Sequence, residues 1–345
     1  MKTMTAAVLY GKEDLKIEEV AVPEAALGEV LVRVEAALTC GTDLKVFRRG
    51  YHAKMIVPPA LFGHEVAGVI AEVGAGVTEW KRGDRAVAIN SAPCGKCFFC
   101  VRDQENLCED LLFNNGAYAE YIRIPARIVE KNLLRVPDGM SFEAAALTEP
   151  LACVVRGMDE MHPRQGESVV VIGAGPIGLM FLQVARAYDL RVIAVVKRDK
   201  QVQAAKHFGA DEVVQIGKLD DPVATVKKIT GGRGADIAIE AIAQPLGWQW
   251  AMEMVRKGGR VNFFGGCAAG TNVELDTNRV HYSELSLKAT FHHTPAAARK
   301  AFALLRDGRV RSSDFITGHA KLADLENVLR RMMDRNGEIK TVIQP

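Results

Sequence analysis

The residues best suited to chemistry in this chain are four cysteines that share one short stretch. They follow the spacing C-x2-C-x2-C-x7-C and are Cys94, Cys97, Cys100 and Cys108. Thiolates this close in sequence can form a closed tetrahedral cage around one zinc ion. Pro93, Gly95 and Lys96 between and before them favour tight turns. The pattern predicts a structural zinc lobe at about residues 93–109.

Disulfides and an iron–sulfur cluster are the two alternatives for these cysteines. Disulfides are disfavoured because the N-terminal residues MKTMTAAVLYGKEDLKIEE contain neither the apolar segment nor the cleavage site of a secretory signal. An iron–sulfur cluster stays open as an alternative, because ferredoxin-like sequences use similar spacings.

A second set of possible metal ligands lies outside this lobe. Cys40 follows the strand-like run Val30–Val34, while His64 and Glu65 precede an alternating apolar stretch, and Glu149 precedes Pro150. Catalytic zinc sites use three protein ligands of these residue types and keep one position open. We therefore predict a catalytic zinc on Cys40 and His64, with either Glu65 or Glu149 as the third protein ligand.

A glycine-rich turn predicts a dinucleotide site. The apolar run Ser168–Ile172 reads as a buried strand, and an apolar helical pattern follows the turn. The turn between them has the G-x-G-x-x-G pattern and consists of Gly173, Ala174, Gly175, Pro176, Ile177 and Gly178. Glycines at these positions let the backbone and a helix N-terminus approach a pyrophosphate.

The end of the second strand bears on the choice of cofactor. NAD-specific domains of this kind place an acid there, on the ribose 2′-hydroxyl. Here Val196 takes that position, and Lys197 and Arg198 follow. Two cations without an acid suit a 2′-phosphate, so we predict a preference for NADP over NAD. The alternative is that both cations are solvated residues at the start of the next helix, which Asp199 caps.

Composition and charge give no sign of a nucleic-acid or membrane partner. The chain has 345 residues, 48 % of them hydrophobic, and a net charge of +2 from 44 basic and 42 acidic residues. This balance gives no reason to expect a nucleic acid or a membrane as partner. Seven cysteines, four of them assigned to one metal site, point to a reducing compartment, and we expect a cytoplasmic protein.

The order of segments predicts two domains. Residues before about 150 alternate short strands with turns, a pattern typical of antiparallel barrels. Strands and helices then alternate, as in a doubly wound parallel sheet. The predicted strands are Ser168–Ile172, Arg191–Val196, Glu212–Gln215, Asp236–Glu240 and Arg260–Phe264. The predicted helices between them are Gly178–Tyr188, Gln201–Phe208, Pro222–Thr230 and Pro245–Val255.

These motifs together resemble the zinc-dependent medium-chain dehydrogenase/reductase family over essentially the whole chain. Gly63-His64-Glu65-x2-Gly68-x5-Gly74-x2-Val77 is similar to the zinc signature of that family. Cys40-Gly41-Thr42-Asp43 and Thr148-Glu149-Pro150-Leu151 are most similar to its polyol and L-threonine dehydrogenase branches.

The resemblance implies an α/β chain with an added β-rich domain, namely a GroES-like catalytic domain into which a Rossmann domain is inserted. The expected boundaries are residues 1–152 and 287–345 for the catalytic domain and 153–286 for the Rossmann domain. The implied cofactors are two Zn²⁺ ions, one catalytic and one structural, and NAD(P). We also expect a homodimer or a homotetramer.

The resemblance further assigns roles to single residues. Thr42 would begin a proton relay through the cofactor ribose, and Lys340 would contact the pyrophosphate. Lys45 stands where the family often has a histidine, and a lysine ammonium is a poor base near neutral pH. By family position, the substrate pocket could be lined by Phe47, Tyr51, Phe113, Asn114 and either His292 or His293.

The implied reaction exchanges a hydride between a secondary alcohol, or the matching ketone, and NAD(P). Polar pocket candidates and Glu149 favour a polyol or sugar alcohol, and L-threonine is the alternative substrate. An alternative of another class is a non-catalytic nucleotide-binding homologue that keeps only a structural zinc. Joint retention of Cys40, Thr42, His64, Glu65 and Glu149 argues against it.

Overall fold

The computed structural model describes residues 2–52, 55–217, 221–334 and 338–345. The strands are, in chain order, β1 Thr3–Gly11, β2 Asp14–Ala21, β3 Val30–Leu38, β4 Ala60–Leu61, β5 Val66–Val73, β6 Arg85–Ala88, β7 Ser91–Ala92, β8 Leu112–Phe113, β9 Tyr121–Ile124, β10 Leu133–Arg135, β11 Ser168–Ile172, β12 Arg191–Val196, β13 Glu212–Gln215, β14 Ala235–Glu240, β15 Val255–Phe263, β16 Ser286–Ala289, β17 Ile316–Lys321 and β18 Lys340–Gln344.

The α-helices are α1 Gly41–Arg49, α2 Ala126–Asn132, α3 Phe142–Ala146, α4 Thr148–Asp159, α5 Pro176–Ala187, α6 Asp199–His207, α7 Pro222–Ile229, α8 Pro245–Met254, α9 Thr277–Tyr282, α10 Pro295–Arg306 and α11 Leu325–Met333. Short 3₁₀ helices span Cys100–Arg102, Glu105–Leu107, Ser312–Asp314 and Leu322–Asp324. Within the described ranges, no helix combines the length and the apolar character that crossing a membrane requires.

The chain forms two compact units. The first combines Met1–Ala152 with His293–Pro345, and the second is Cys153–His292. Each unit has its own hydrophobic core, the first built around side chains such as Phe47, Phe62 and Tyr118 and the second around the apolar strands β11 and β12.

The first unit is mainly antiparallel. One sheet has the order β2-β1-β4, and a larger one has the order β10-β6-β5-β3-β18-β17, with β9 also paired to β3. Only β17 and β18 pair in parallel among the described strands of these two sheets. This agrees with the β-rich pattern of the N-terminal sequence.

Strand pairing in the larger sheet brings distant sequence segments together. Ala37 of β3 pairs with Val66 of β5, and Leu38 pairs with Val342 of β18. The residues just after β3, just before β5 and at the start of β18 therefore meet at one end of the sheet. That end holds Cys40, His64, Glu65 and Lys340.

The second unit is a doubly wound sheet, so the predicted alternation of strands and helices is confirmed. Six strands pair in parallel in the order β13-β12-β11-β14-β15-β16. Ile172 pairs with both Val195 and Glu240, which places the ends of β11, β12 and β14 at one edge of the sheet. Ligands of such sheets bind beyond the carboxyl ends of the strands.

Some predicted element bounds were wrong. The sixth strand, β16, was missed, and it extends the parallel sheet beyond the last predicted strand, Arg260–Phe264, to Ala289. The sequence Ser-Leu-Lys-Ala is too short and too polar to stand out as a strand, and it forms an edge whose side chains are largely exposed. Helix α5 begins at Pro176 instead of Gly178, because Gly175 is its N-cap and proline suits the first helical position.

Candidate active site

The four clustered cysteines converge in the structure. Their Sγ atoms all lie within 4.8 Å of one another, and the Cys94–Cys100 and Cys97–Cys108 pairs are each 3.9 Å apart. A zinc ion with Zn–S bonds of about 2.3 Å would separate its sulfurs by about 3.8 Å. None of the seven cysteines forms a disulfide. The donor set therefore fits one tetrahedral zinc.

Local backbone groups prepare these thiols to bind a cation. The N–H of Cys94 donates to Cys108 Sγ at 3.2 Å, and that of Lys96 donates to Cys94 Sγ at 3.5 Å. Backbone N–H groups of Glu109 and Cys100 lower the pKa of the Cys97 thiol to about 6, whereas burial raises the pKa of the Cys100 thiol to about 12 and also raises that of Cys108. Stabilised thiolates are the form that coordinates zinc.

A second convergence occurs at the end of the larger sheet of the first unit. Donor atoms of Cys40, His64 and Glu65 lie within 4.8 Å of one another, and all three belong to segments that the β3–β5 pairing brings together. Glu149, in the first turn of α4, is also buried. Its carboxylate Oε1 is 3.7 Å from Nε2 of His293.

Asp43 fixes the orientation of His64. Its Oδ1 is 2.9 Å from His64 Nδ1, which leaves His64 Nε2 for a metal. The other oxygen, Oδ2, accepts from the Tyr118 hydroxyl at 2.6 Å and from the N–H of Cys40 at 3.1 Å. The sequence motifs gave Asp43 no role, although its position three residues after Cys40 is that of a capping box on α1. Tyr118 is brought in only by the tertiary fold.

The ligand set carries more acidic than basic groups. The acidic groups are Cys40, Asp43, Glu65 and Glu149. The groups that can carry a positive charge are Lys340 and His64. Burial raises the pKa of Glu149 to about 7 and that of Glu65 well above its ordinary value. Burial disfavours the Cys40 thiolate, but Lys340 and His64 together lower the pKa of this thiol to about 7. A divalent cation would stabilise all of these anions, so the residues fit a zinc site.

Lys340 differs from its expected role. Its side chain is buried, and Nζ lies 2.5 Å from both carboxylate oxygens of Glu65. Thr39 Oγ1 accepts from the N–H of Thr341 at 3.0 Å and so holds the start of β18 beside β3. In this arrangement the Lys340 amine forms an ion pair with Glu65 instead of contacting a cofactor pyrophosphate. The pairing could not be expected from sequence, because 275 positions separate the two residues.

The remaining predicted residues take different places. Thr42 is half-buried, and its N–H donates to Cys40 Sγ at 3.4 Å. Phe47 lies in the hydrophobic core with no exposed surface, and Tyr51 is 51 % exposed. His293 is buried, with Nε2 3.0 Å from Asn90 Oδ1. Phe113, Asn114 and His292 are partly buried, and Lys45 is exposed.

The glycine turn of the second unit fits a dinucleotide. Gly173 has φ of +107°, and a Cβ there would lie 2.5 Å from Ile242 Cγ2, while a Cβ on Gly178 would lie 1.9 Å from the Gly173 carbonyl oxygen. Side chains are therefore excluded at both positions. Open space surrounds the Cβ position of Gly175, which is the N-cap of α5 and forms no side-chain cap. Free N–H groups with room before them suit a pyrophosphate.

The segment after β12 is organised by two glutamines. Gln201 Oε1 accepts from the N–H groups of Lys197 at 3.2 Å and Arg198 at 3.0 Å, and Gln215 Nε2 donates to Asp199 Oδ1 at 2.8 Å. Arg198 is the N-cap residue of α6. Asp199 therefore does not cap this helix, since it is the first helical residue and its side chain turns to β13. The rest of that alternative, in which Lys197 and Arg198 are solvated residues at the helix start, stays open, because both are exposed.

Replacing Tyr118 by phenylalanine tests the support of Asp43. The loss of a buried hydrogen bond to a carboxylate should lower the free energy of unfolding by about 1.5–3 kcal/mol and weaken zinc binding about tenfold. Urea denaturation and zinc titration measure the two effects. Tyr10→Phe is the matched control, because the Tyr10 hydroxyl donates to Glu18 on an exposed surface. Equal losses in both variants would contradict a role for Tyr118 at the metal site.

Both units of the chain match family models of dehydrogenases. Residues 26–138 match the family model for the alcohol dehydrogenase GroES-like domain, and residues 176–307 match the model for zinc-binding dehydrogenases. Together these confirm the predicted fold class, a GroES-like domain combined with a Rossmann-type parallel sheet.

Three proteins illustrate the similarity. Sorbitol dehydrogenase of Bacillus subtilis is 30 % identical over 352 residues, covering 100 % of this chain and 98 % of the relative. L-threonine 3-dehydrogenase of Bacillus velezensis is 33 % identical over 334 residues, covering 95 % and 94 %. The structure of a candidate zinc-binding dehydrogenase of Sinorhizobium meliloti, solved with NADP bound, superposes with a TM-score of 0.90 at 27 % identity and covers 100 % of both chains. The chain belongs to the zinc-dependent medium-chain dehydrogenase/reductase family of oxidoreductases.

Proposed function

We propose that this enzyme exchanges a hydride between the secondary alcohol of a polyol or sugar alcohol, or the matching ketone, and NADP. The first unit would carry the catalytic zinc and the substrate, and the second unit would bind the dinucleotide. The observation that carries this proposal is the convergence of Cys40, His64 and Glu65 donor atoms within 4.8 Å, with the buried carboxylate of Glu149 in the same unit.

The residues of the chain prepare the site for this reaction. Zinc, when bound, supplies a Lewis acid for the substrate hydroxyl, and the nicotinamide supplies the hydride acceptor. Cys40 and His64 would hold the metal, and Asp43 keeps Nε2 of His64 directed towards it. Thr42, in the first turn of α1 beside Cys40, would begin a proton relay: Oγ1 would take up the proton of the substrate hydroxyl while its own proton passes to the cofactor ribose.

A polyol suits the charges of the site better than L-threonine does. An amino-acid substrate brings a carboxylate, which requires a cation within reach. Lys340 is the buried cation beside the ligand set, and both oxygens of Glu65 already engage its amine. Hydroxyl groups need no such partner and can pair with half-buried polar groups such as Asn114.

The preference for NADP rests on the segment after β12. Lys197 and Arg198 are exposed, and neither forms an ion pair with any other residue in the described ranges. Asp199, the nearest carboxylate in sequence, is engaged by Gln215 and is thereby less able to accept from a ribose 2′-hydroxyl. Two available cations and an engaged acid favour a 2′-phosphate.

Arg198→Ala is expected to weaken NADP binding by about 1.5–3 kcal/mol, the range for a hydrogen bond to a charged group. NAD binding should change little, because NAD lacks the 2′-phosphate. Dissociation constants for both cofactors, from titration calorimetry, measure the effect. Lys206→Ala is the control, since Lys206 is an exposed cation in the last turn of the same helix. Equal losses for NAD and NADP would show that Arg198 does not read the 2′ position.

A panel of polyols, sugars and L-threonine, each assayed with NAD and NADP, tests the function as a whole. The absorbance of reduced nicotinamide is the readout. Metal analysis separates the enzyme from a non-catalytic nucleotide-binding homologue, because two zinc ions per chain are expected for the first and one for the second. A homo-oligomeric state and a cytoplasmic location stay predictions.

A further inference from the structure

A buried carboxylate at the edge of the parallel sheet has no part in the reaction described above. Glu240 is the last residue of β14 and has no exposed surface. Its Oε1 accepts from the N–H groups of Ile242 at 2.8 Å and Ala243 at 2.7 Å. Burial raises the pKa of Glu240, while these two N–H groups and those of Gln244 and Gly265 oppose the rise. Oε1 is thus held by backbone donors instead of a cation, while Oε2 is buried and has no hydrogen-bond partner among the described residues.

The surrounding backbone leaves room for this carboxylate. A Cβ on Gly247 would lie 2.9 Å from Glu240 Oε1, and a Cβ on Gly265 would lie 2.5 Å from Oε2. The backbone oxygen of Glu240 accepts from the N–H groups of Phe264 at 3.1 Å and Gly265 at 2.9 Å. One residue therefore ties together the loop after β14 and the loop after β15.

The loop after β14 supports the glycine turn directly. Ala241 N–H donates to the Ile172 carbonyl at 3.0 Å, and Ile242 Cγ2 lies 2.5 Å from the position of a Cβ on Gly173. Ala243 has φ of +58°, an unfavourable conformation for a residue other than glycine. Such a conformation persists only where its surroundings hold it, and the bond from Ala243 N–H to Glu240 does so.

We infer that Glu240 is a positioning residue for the dinucleotide: its carboxylate holds residues 241–244 against Gly173 and thereby fixes the pyrophosphate-binding turn. The inference rests on the proposed dinucleotide binding of the second unit. Glu240 acts through the loop and does not touch the cofactor, because its side chain has no exposed surface.

Glu240→Gln tests the role with little change of volume. Loss of the charge weakens the bonds from Ile242 and Ala243, so the dissociation constant for NADP should rise about tenfold. Amide hydrogen exchange of residues 241–247, followed by mass spectrometry in the zinc-loaded enzyme without cofactor, should accelerate. Titration calorimetry with NADP measures the dissociation constant.

Asp236→Asn is the matched control. Asp236 lies on the same strand at its other end, where its carboxylate accepts from Ser168 Oγ at 2.6 Å and Arg256 Nε at 2.6 Å. This variant should lower the unfolding midpoint but change the dissociation constant for NADP less than twofold. A merely structural role of Glu240 would make the two variants alike.

Four outcomes overturn the inference. NADP binding of Glu240→Gln equal to that of the wild type overturns it and leaves the proposed function standing. If Asp236→Asn weakens NADP binding as much as Glu240→Gln does, the inference about Glu240 is overturned and the proposed function still stands. A wild-type protein that binds neither NAD nor NADP overturns both the inference and the proposed function. If Glu240→Gln does not fold, Gly247→Ala replaces it. Alanine favours helix α8, while its Cβ would lie 2.8 Å from Ile242 Cγ1 and 2.9 Å from Glu240 Oε1 and so press on both the loop and the carboxylate that holds it. NADP binding about tenfold weaker than wild type is expected there as well, and unchanged binding overturns the inference.

Discussion

Replacing Cys97 by serine is expected to release one zinc per chain and to lower the midpoint of thermal unfolding on the order of 10 °C. The Sγ atoms of the four cysteines lie within 4.8 Å of one another, so removing one thiolate opens a closed coordination shell. The binding free energy of a structural zinc contributes directly to folding, and the segment between Cys94 and Cys108 contains only two short 3₁₀ helices to hold it otherwise. Calorimetry and metal analysis measure the two effects.

Cys267→Ser is the control for this prediction. Cys267 is a partly exposed thiol of the second unit and lies outside both proposed metal sites. The control should keep its zinc content and its unfolding midpoint within about 2 °C of the wild type, as surface substitutions usually do. A Cys97→Ser protein with unchanged zinc and unchanged midpoint would contradict the structural site.

Short sequence patterns predicted the elements whose structure depends on neighbouring residues in the chain. Strand β11 was predicted with its observed bounds because a parallel strand buried on both faces needs an unbroken apolar run. The glycine turn was predicted because backbone close approach admits no Cβ at Gly173 and Gly178. The short polar strand β16 gave no such pattern, and its place in the sheet depends on pairing with β15.

Contacts between distant segments could not be predicted in the same way. The pairing of Lys340 with Glu65 and the hydrogen bond from Tyr118 to Asp43 depend on how β18, β3 and β5 come together. Sequence alone identified Glu65 as a possible ligand but could not show that an ammonium already satisfies its carboxylate. This pairing makes Glu65 less available to a metal ion than Glu149, the other candidate for the third ligand.

We propose Glu149 as the third zinc ligand during turnover. Glu65 donor atoms lie within 4.8 Å of those of Cys40 and His64, but Lys340 engages both oxygens of Glu65. The Oε1 of Glu149 is 3.7 Å from His293 Nε2, a longer and weaker contact. Moving the Glu149 carboxylate onto the metal would therefore break only this weak contact with His293, whereas moving the Glu65 carboxylate would break its two contacts with Lys340.

Glu149→Ala is accordingly expected to lower kcat about 100-fold or more and to reduce the occupancy of the catalytic zinc, because metal affinity falls when a coordinating carboxylate is lost. Metal analysis should show one zinc per chain retained in the four-cysteine site. Steady-state kinetics with the best substrate of the panel gives kcat. The control is Glu143→Ala, which removes a carboxylate of the first unit that is paired with the partly exposed His319.

The control should leave both zinc ions and kcat unchanged, because Glu143 lies outside the ligand set. Full activity with full zinc occupancy in Glu149→Ala would remove Glu149 from the site and leave Glu65 as the third ligand. In that case Glu65→Gln should lose the zinc instead, and Lys340 would have to release one carboxylate oxygen for the metal to bind. Reduced kcat with full zinc occupancy would place Glu149 at the substrate and not at the metal. The kcat and the zinc content together therefore decide whether the Glu149 carboxylate binds the metal or the substrate.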